Sequence, residues 1–274
     1  MQPYRSLDHV VIRVEAAEPL FALFSEAFGL PVSWPLQHSG FASFGWVNAG
    51  NTNLEIWAAA SNGDLPMDVP LPLVQGLALD PADLQDSISQ LAQRGIACKA
   101  PKAFRTQTQD GVWVNNFTNS VVLDVSSDAC CVFFCAWDAE GTIYPWKEKL
   151  SAVQRKARDE AAFARCAGGA LGLVGLAEVR LAVPDVRAAT EAWRALTDSG
   201  SDAIALTSDI ALHFVPGARD VATVEALVFG VRSMSMARAF LFERQWLESE
   251  VQGELRLSPC VCEGLDLRLV EAAP

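Results

Sequence analysis

The sequence predicts an α+β fold made of four βαβββ modules, paired into two domains. Three observations carry that expectation. A strand–helix–strands pattern recurs four times along the chain. A glycine closes the first two helices at nearly the same distance, Gly29 lying 20 residues after His9 and Gly95 lying 19 after Gly76. A basic, amphipathic segment then divides the chain into halves of comparable size.

Module one covers 5–60. "LDHVVIRV" (7–14) alternates like a strand, and "EPLFALFSEAFGL" (18–30) sets Leu20, Phe21, Leu23, Phe24 and Phe28 on one helical side before Gly29. Three short β-rich runs follow: "PVSWPLQ", "GFASFGWVNAG" and "TNLEIWAA". Module two (73–137) repeats the order with "VQGLALD", a helix over 81–95, "IACKAP", "GVWVNNF" and "CVFFCAW". Module three (173–217) reads "LAEVRLAV", a helix, "DAIALTS" and "IALHFVPG". Module four (221–272) reads "VEALVFGV", a helix, "VQGELRLSP" and "LDLRLVE". The expected domains are 1–137 and 173–274, joined by a linker over 138–172 with a helix at 148–165.

Composition narrows the function classes. Of 274 residues, 51% are apolar and 20% charged, which suits an ordered globular chain. A net charge of −12 repels nucleic acid and anionic membranes and leaves a small molecule or another protein as partner. The N-terminus lacks a basic region followed by an apolar run, and the uncharged stretch 166–177 is too short to span a bilayer, so a cytoplasmic protein is expected. Seven cysteines at irregular spacing read as reduced thiols. Gly169, Gly172 and Gly175 form G-x-x-G-x-x-G, but after a helix and before a strand, the wrong order for a dinucleotide turn. Open sheet edges are compatible with a homodimer.

The repeated module, opened by "LDHVVIRV" and closed by "GNTNLEIW", resembles the vicinal oxygen chelate superfamily of glyoxalases, bleomycin-resistance proteins and extradiol dioxygenases. The resemblance implies two barrel-like, glyoxalase-type domains, each of two modules whose curved sheets enclose a cavity. It also implies that a metal would take ligands from the middle of a module's first strand and from its last strand. In module one those positions hold His9 and Glu55, with Glu55 also the implied catalytic carboxylate.

Alternation agrees with that placement. Leu7, His9, Val11 and Arg13 share one face of the first strand, and Asn53, Glu55 and Trp57 share one face of the last. Imidazole and carboxylate together suit Zn²⁺, Ni²⁺, Mn²⁺ or Fe²⁺, and a pair that simply hydrogen-bonds without metal fits equally. Module two offers Gly76, which cannot ligate, and Cys135; Gln75 points away unless the register slips by one. Glu178 and His213 of module three would complete a four-ligand set only if modules one and three shared a cavity. Otherwise they form a salt-bridged cluster with Arg268. An iron facial triad is disfavoured, since His38 lies in a loop before Gly40.

The first cavity is expected to be lined by Arg13, Asn53, Trp57, Trp113, Phe133 and Trp137, aromatic walls with a few polar groups. That lining points to a metal-free protein holding a small aromatic or planar molecule, with Arg13 meeting an anionic group on it. The alternative is a divalent-metal-dependent lyase or isomerase acting on vicinal oxygens of its substrate.

Overall fold

Period-2 patterning along each module produces the strands, and their pairing fixes where each side chain faces. In the computed structural model, residues 2–61, 69–107, 110–138, 142–143, 149–198 and 204–272 are described. The first half runs β1 (Ser6–Arg13), α1 (Ala17–Ala22) continued by a π-helical turn (Leu23–Ala27), β2 (Val32–His38), β3 (Ala42–Asn48) and β4 (Asn53–Ala59). Next come β5 (Leu73–Asp80), α2 (Leu84–Gln93), β6 (Lys102–Gln107), β7 (Trp113–Val121) and β8 (Cys131–Trp137). Two short strands, β9 (Thr142–Ile143) and β10 (Lys149–Leu150), precede α3 (Ala152–Cys166). The second half runs β11 (Leu173–Val183), α4 (Val186–Thr197), β12 (Ile204–Ala205), β13 (Ala211–Pro216), β14 (Thr223–Val231), α5 (Met234–Glu243), β15 (Leu247–Val251), β16 (Glu254–Leu257) and β17 (Leu267–Glu271).

These strands form an eight-stranded sheet, β2-β3-β4-β1-β5-β8-β7-β6, and a seven-stranded sheet, β12-β13-β11-β14-β17-β16-β15. Each is two modules joined through their first strands, β1 with β5 and β11 with β14, antiparallel. Within a module the first strand pairs parallel with the last, as β1 does with β4. Module one therefore pairs with two and three with four. The condition for a shared His9/Glu55/Glu178/His213 set is not met, because those residues divide between two sheets.

Several local expectations change. "IACKAP" contributes only an isolated bridge at Cys98, and the strand begins at Lys102. "VQGELRLSP" is the turn and second arm of a hairpin, since Gln252 and Gly253 both take positive φ. Module three supplies three strands, one of them only Ile204–Ala205. The linker helix begins at Ala152 rather than 148, where the Ser151 hydroxyl and the Gln154 side chain form a reciprocal capping box. His38 ends β2 instead of lying in a loop, exposed, with Nδ1 2.8 Å from the Ser43 hydroxyl. All seven cysteines are free. No helix among the described residues is long and apolar enough to cross a membrane.

The helix-side faces of both sheets share one apolar core. Phe24 meets Phe229 at 6.4 Å between ring centroids, and Phe28 meets Phe240 at 6.2 Å, across the two halves. Asn51 joins the sheets through polar contacts: its Nδ2 donates to the Leu176 carbonyl at 2.9 Å and its Oδ1 accepts from the Leu176 N–H at 2.8 Å. Its neighbour Gly50, at φ +103°, has no room for a side chain; a Cβ there would lie 2.6 Å from the Val174 carbonyl oxygen. Replacing Asn51 by Ala strands both backbone groups of Leu176, and about 2 kcal/mol of stability should be lost. Urea unfolding measures it; a loss under about 0.5 kcal/mol would mean water replaces the bridge fully.

Candidate functional site

One extra residue in β1 decides the site. Leu7 pairs with Leu79 and His9 with Ala78, so Asp8 is a bulge. Leu7 therefore turns into the core, against the simple alternation, and Asp8 joins His9 on the concave face. A second shift lies between Val11 and Ile12 and leaves Gln75 as the extra residue of β5. That is the one-residue slip that brings Gln75 to Arg13's side, where its Oε1 lies 3.5 Å from Arg13 Nη1.

His9 is only 4% exposed. Its Nδ1 lies 2.7 Å from Asp8 Oδ2, and its Nε2 lies 3.5 Å from Glu55 Oε2. An ionised carboxylate can only accept, so Nδ1 carries the proton and Nε2 turns to Glu55. Rings enclose the imidazole: Trp46 at 4.5 Å and Phe133 at 5.8 Å, with Trp137 5.7 Å from Trp46. Trp137 Nε1 donates to Asp8, 3.0 Å from each oxygen. Arg155 of α3 reaches into the same box. Its Nη2 donates to Asp8 Oδ1 at 3.0 Å, and its guanidinium carbon lies 3.9 Å from the centre of the Trp137 ring.

The three partly buried carboxyls differ. Burial alone would raise Asp8, but the Arg155 charge, the His9 contact and the Trp137 N–H together hold it well below the usual carboxylate range. Burial dominates at Glu55 and pushes it up, against the lowering effects of His9 and a Trp46 hydrogen bond. Asp159, also on α3, is pushed up to about 6 by burial, against Arg155 and a hydrogen bond with Asn53.

Other expected residues lie elsewhere. Arg13 is fully buried and committed internally, donating to the Ser61 carbonyl at 3.2 Å and lying 4.7 Å from the Trp57 ring centre. Asn53 accepts from the Ser33 hydroxyl at 2.7 Å. Trp113 is 63% exposed at the start of β7, outside the ring box. By register, Phe133 rather than Cys135 is the module-two counterpart of Glu55: Ala78 pairs with Phe133 as Val11 pairs with Glu55. Phe133 and Val11 fill the space at Gly76, each 3.1 Å from where a Cβ would sit. Sequence reasoning missed Asp8, Trp46 and Arg155. A carboxylate beside the strand histidine was visible, but nothing local marks the bulge that turns it inward.

Asp8, His9 and Cys135 each bring a ligand atom within 4.8 Å of the others, so the cluster has the donors for a metal. Two of these donors are engaged or unsuited. Asp8 already accepts from Arg155 and Trp137, and burial holds the Cys135 thiol well above its ordinary range, hence protonated. His9 Nε2 and Glu55 Oε2 are spaced as two ligands of one ion would be, given bonds of about 2.1 Å. Their carboxylate-backed histidine is typical of metal ligation. The set falls short of the usual three free protein ligands.

The second concave face is filled differently. Ion pairs alternate across it: Arg256 with Asp266 at 3.1 Å, Asp266 with Arg268 at 2.9 Å, and Arg268 with Glu254 at 3.0 Å. Glu254 continues to Arg180, and Arg180 to Glu178 at 2.5 Å. His213 stands 3.9 Å from Glu178 and is largely exposed. The Glu178, His213 and Arg268 cluster expected from consecutive pairing is thus part of a longer ladder.

No protein-family model matches the sequence, and no curated protein matches it either. Solved structures do. A triple mutant of 4-hydroxymandelate synthase from Streptomyces coelicolor aligns with a TM-score of 0.61 at 14% identity, over 99% of this chain and 93% of that one. A hypothetical protein from Staphylococcus aureus gives 0.61 at 10%, over 97% and 98%. Homoprotocatechuate 2,3-dioxygenase from Arthrobacter globiformis gives 0.56 at 12%, over 98% and 80%. The synthase and the dioxygenase are vicinal oxygen chelate proteins. This chain has the vicinal oxygen chelate fold. At such identity the likeness extends to the fold alone, and the resemblance seen in the modules is thereby explained along the full chain.

Two outcomes follow from the carboxyls. Asp8→Asn removes the charge that Asp8 sets against the buried Arg155 guanidinium, and should cost about 3 kcal/mol in denaturant unfolding. Asp159 is more easily protonated folded than unfolded, so it costs stability above pH 6, relieved as pH falls from 6 towards 4. Asp159→Asn should therefore raise the melting temperature at pH 7.5, with the gain vanishing near pH 4; an equal gain at both values would mean the carboxyl is not perturbed.

Proposed function

We propose that this protein holds a small planar molecule against the concave face of its first sheet. The observation that carries this is the ring box itself. Trp46, Phe133 and Trp137 surround a histidine and two carboxylates. An ordinary core would be apolar there, since burying charged groups is costly compared with packing hydrocarbon. Flat apolar walls with a few fixed polar groups are the usual make-up of a small-molecule site. His9, Glu55 and Trp137 are the residues we assign to ligand contact, with Phe133 as a wall. Arg13 and Asn53, turned to internal partners, support the shape of the face rather than touch the ligand.

The second reading, a metal-dependent lyase or isomerase, draws support from the 3.5 Å spacing of His9 Nε2 and Glu55 Oε2 and from Asp8 behind the imidazole. Metal analysis of the purified protein, beside His9→Ala, separates the two. Planar binding without metal predicts less than a tenth of an equivalent of metal in both, and tryptophan quenching by a planar aromatic panel in the parent protein. Stoichiometric metal that disappears in His9→Ala would favour the lyase or isomerase, and silence across the panel would sink the binding function.

A further inference from the structure

Arg155 sits in the ring box as a bound cation would. Its guanidinium lies over Trp137, pairs with Asp8, and the residue is 6% exposed. A flat, delocalised cation stacked on indole and paired with a carboxylate is how aromatic sites recognise organic cations. The helix that delivers it has an unusual attachment. A surface helix ordinarily buries an apolar stripe. In α3, Arg155 is the one buried side chain, with Phe163 packed only partly against the core. Polar contacts add to this hold: Asn48 Nδ2 donates to the Asp159 carbonyl at 2.8 Å, the Asn53 and Asp159 side chains are hydrogen-bonded, and Arg232 Nη1 donates to the carbonyl of the capping residue Ala167 at 2.5 Å. The helix is complete in itself, capped at Ser151 and stopped by Ala167 in the left-handed conformation. Opening of one peripheral helix costs less than unfolding of the whole chain.

We propose that the Asp8–Trp137 seat is a subsite for a flat organic cation, a guanidinium or amidinium group carried by the ligand, and that Arg155 is its internal competitor, so that α3 withdraws when the ligand enters. This rests on the ligand-binding reading above and adds the charge of the ligand and the element that gates it. The box carries the matching charge. Asp8 and Glu55 flank His9, and Asp159 lies on the helix that leaves, so withdrawal removes one cation and one carboxylate together. Arg13, the residue expected to meet an anion, is turned to its own partners elsewhere on the face.

Arg155→Ala empties the seat. Methylguanidinium at millimolar concentration is the probe, read by tryptophan emission and melting temperature, with sodium chloride at the same ionic strength as control. The variant should bind methylguanidinium at least tenfold more tightly than the parent, and adding Asp8→Asn should abolish that gain. Equal binding by parent and variant, or none by the variant, overturns the proposal. If Arg155→Ala does not fold in plain buffer, refolding with methylguanidinium tests the same seat: recovery of native emission with it but not with sodium chloride supports the seat, and recovery with neither overturns it. The outcomes also separate this proposal from the broader one. Neutral planar compounds binding Arg155→Ala where methylguanidinium does not would leave the broader ligand-binding reading standing and remove the cation seat. Methylguanidinium binding with no response to any neutral aromatic compound would keep the seat and remove the aromatic ligand.

Discussion

The buried charge of Asp8 is the contact around which the first half of the molecule is arranged. It receives the indole N–H of β8, the guanidinium of α3 and the imidazole of its own strand. Three elements distant in sequence thus converge on two oxygen atoms. A carboxylate removed from water needs such partners, since burial otherwise drives it to the neutral form. The bulge in β1 makes the convergence possible, because an unbulged strand would have sent Asp8 into the hydrocarbon core and Leu7 into the ring box.

Much of this architecture was legible in the residues. Period-2 runs located the first and last strands of each module, because burial on one face of a sheet demands alternation. The repeat gave the fold class, and the neighbouring positions of His9 and Glu55 followed from the parallel pairing of β1 with β4. What alternation could not reveal were its interruptions. The bulges at Asp8 and Gln75 reverse facing by one residue, and no local composition signals them. The exchange of Cys135 for Phe133 is a register effect of two positions, invisible without the pairing. Arg155 was hidden for a different reason: a basic side chain on an amphipathic connecting helix ordinarily faces solvent.

The two concave faces show how one frame supports opposite solutions to the same burial problem. In the first, rings enclose the polar centre and a helix covers it, so the charges have dedicated partners, three of them on Asp8. In the second, arginines and carboxylates alternate across neighbouring strands and stay partly solvated. Exposed pairs of that kind contribute little individually, and their value lies in satisfying a face that carries few rings.

The bulges have a counterpart. In β11 the register shifts between Leu176 and Glu178 and again between Arg180 and Leu181, the same spacing as in β1. Superposing the shifts sets Ala177 where Asp8 stands, and Glu178 where His9 stands. The two sheets thus share these irregularities of backbone pairing while the side chains at the matching positions differ. With alanine at position 177, the second face has no counterpart of the Asp8 carboxylate, and its charged groups pair with one another instead.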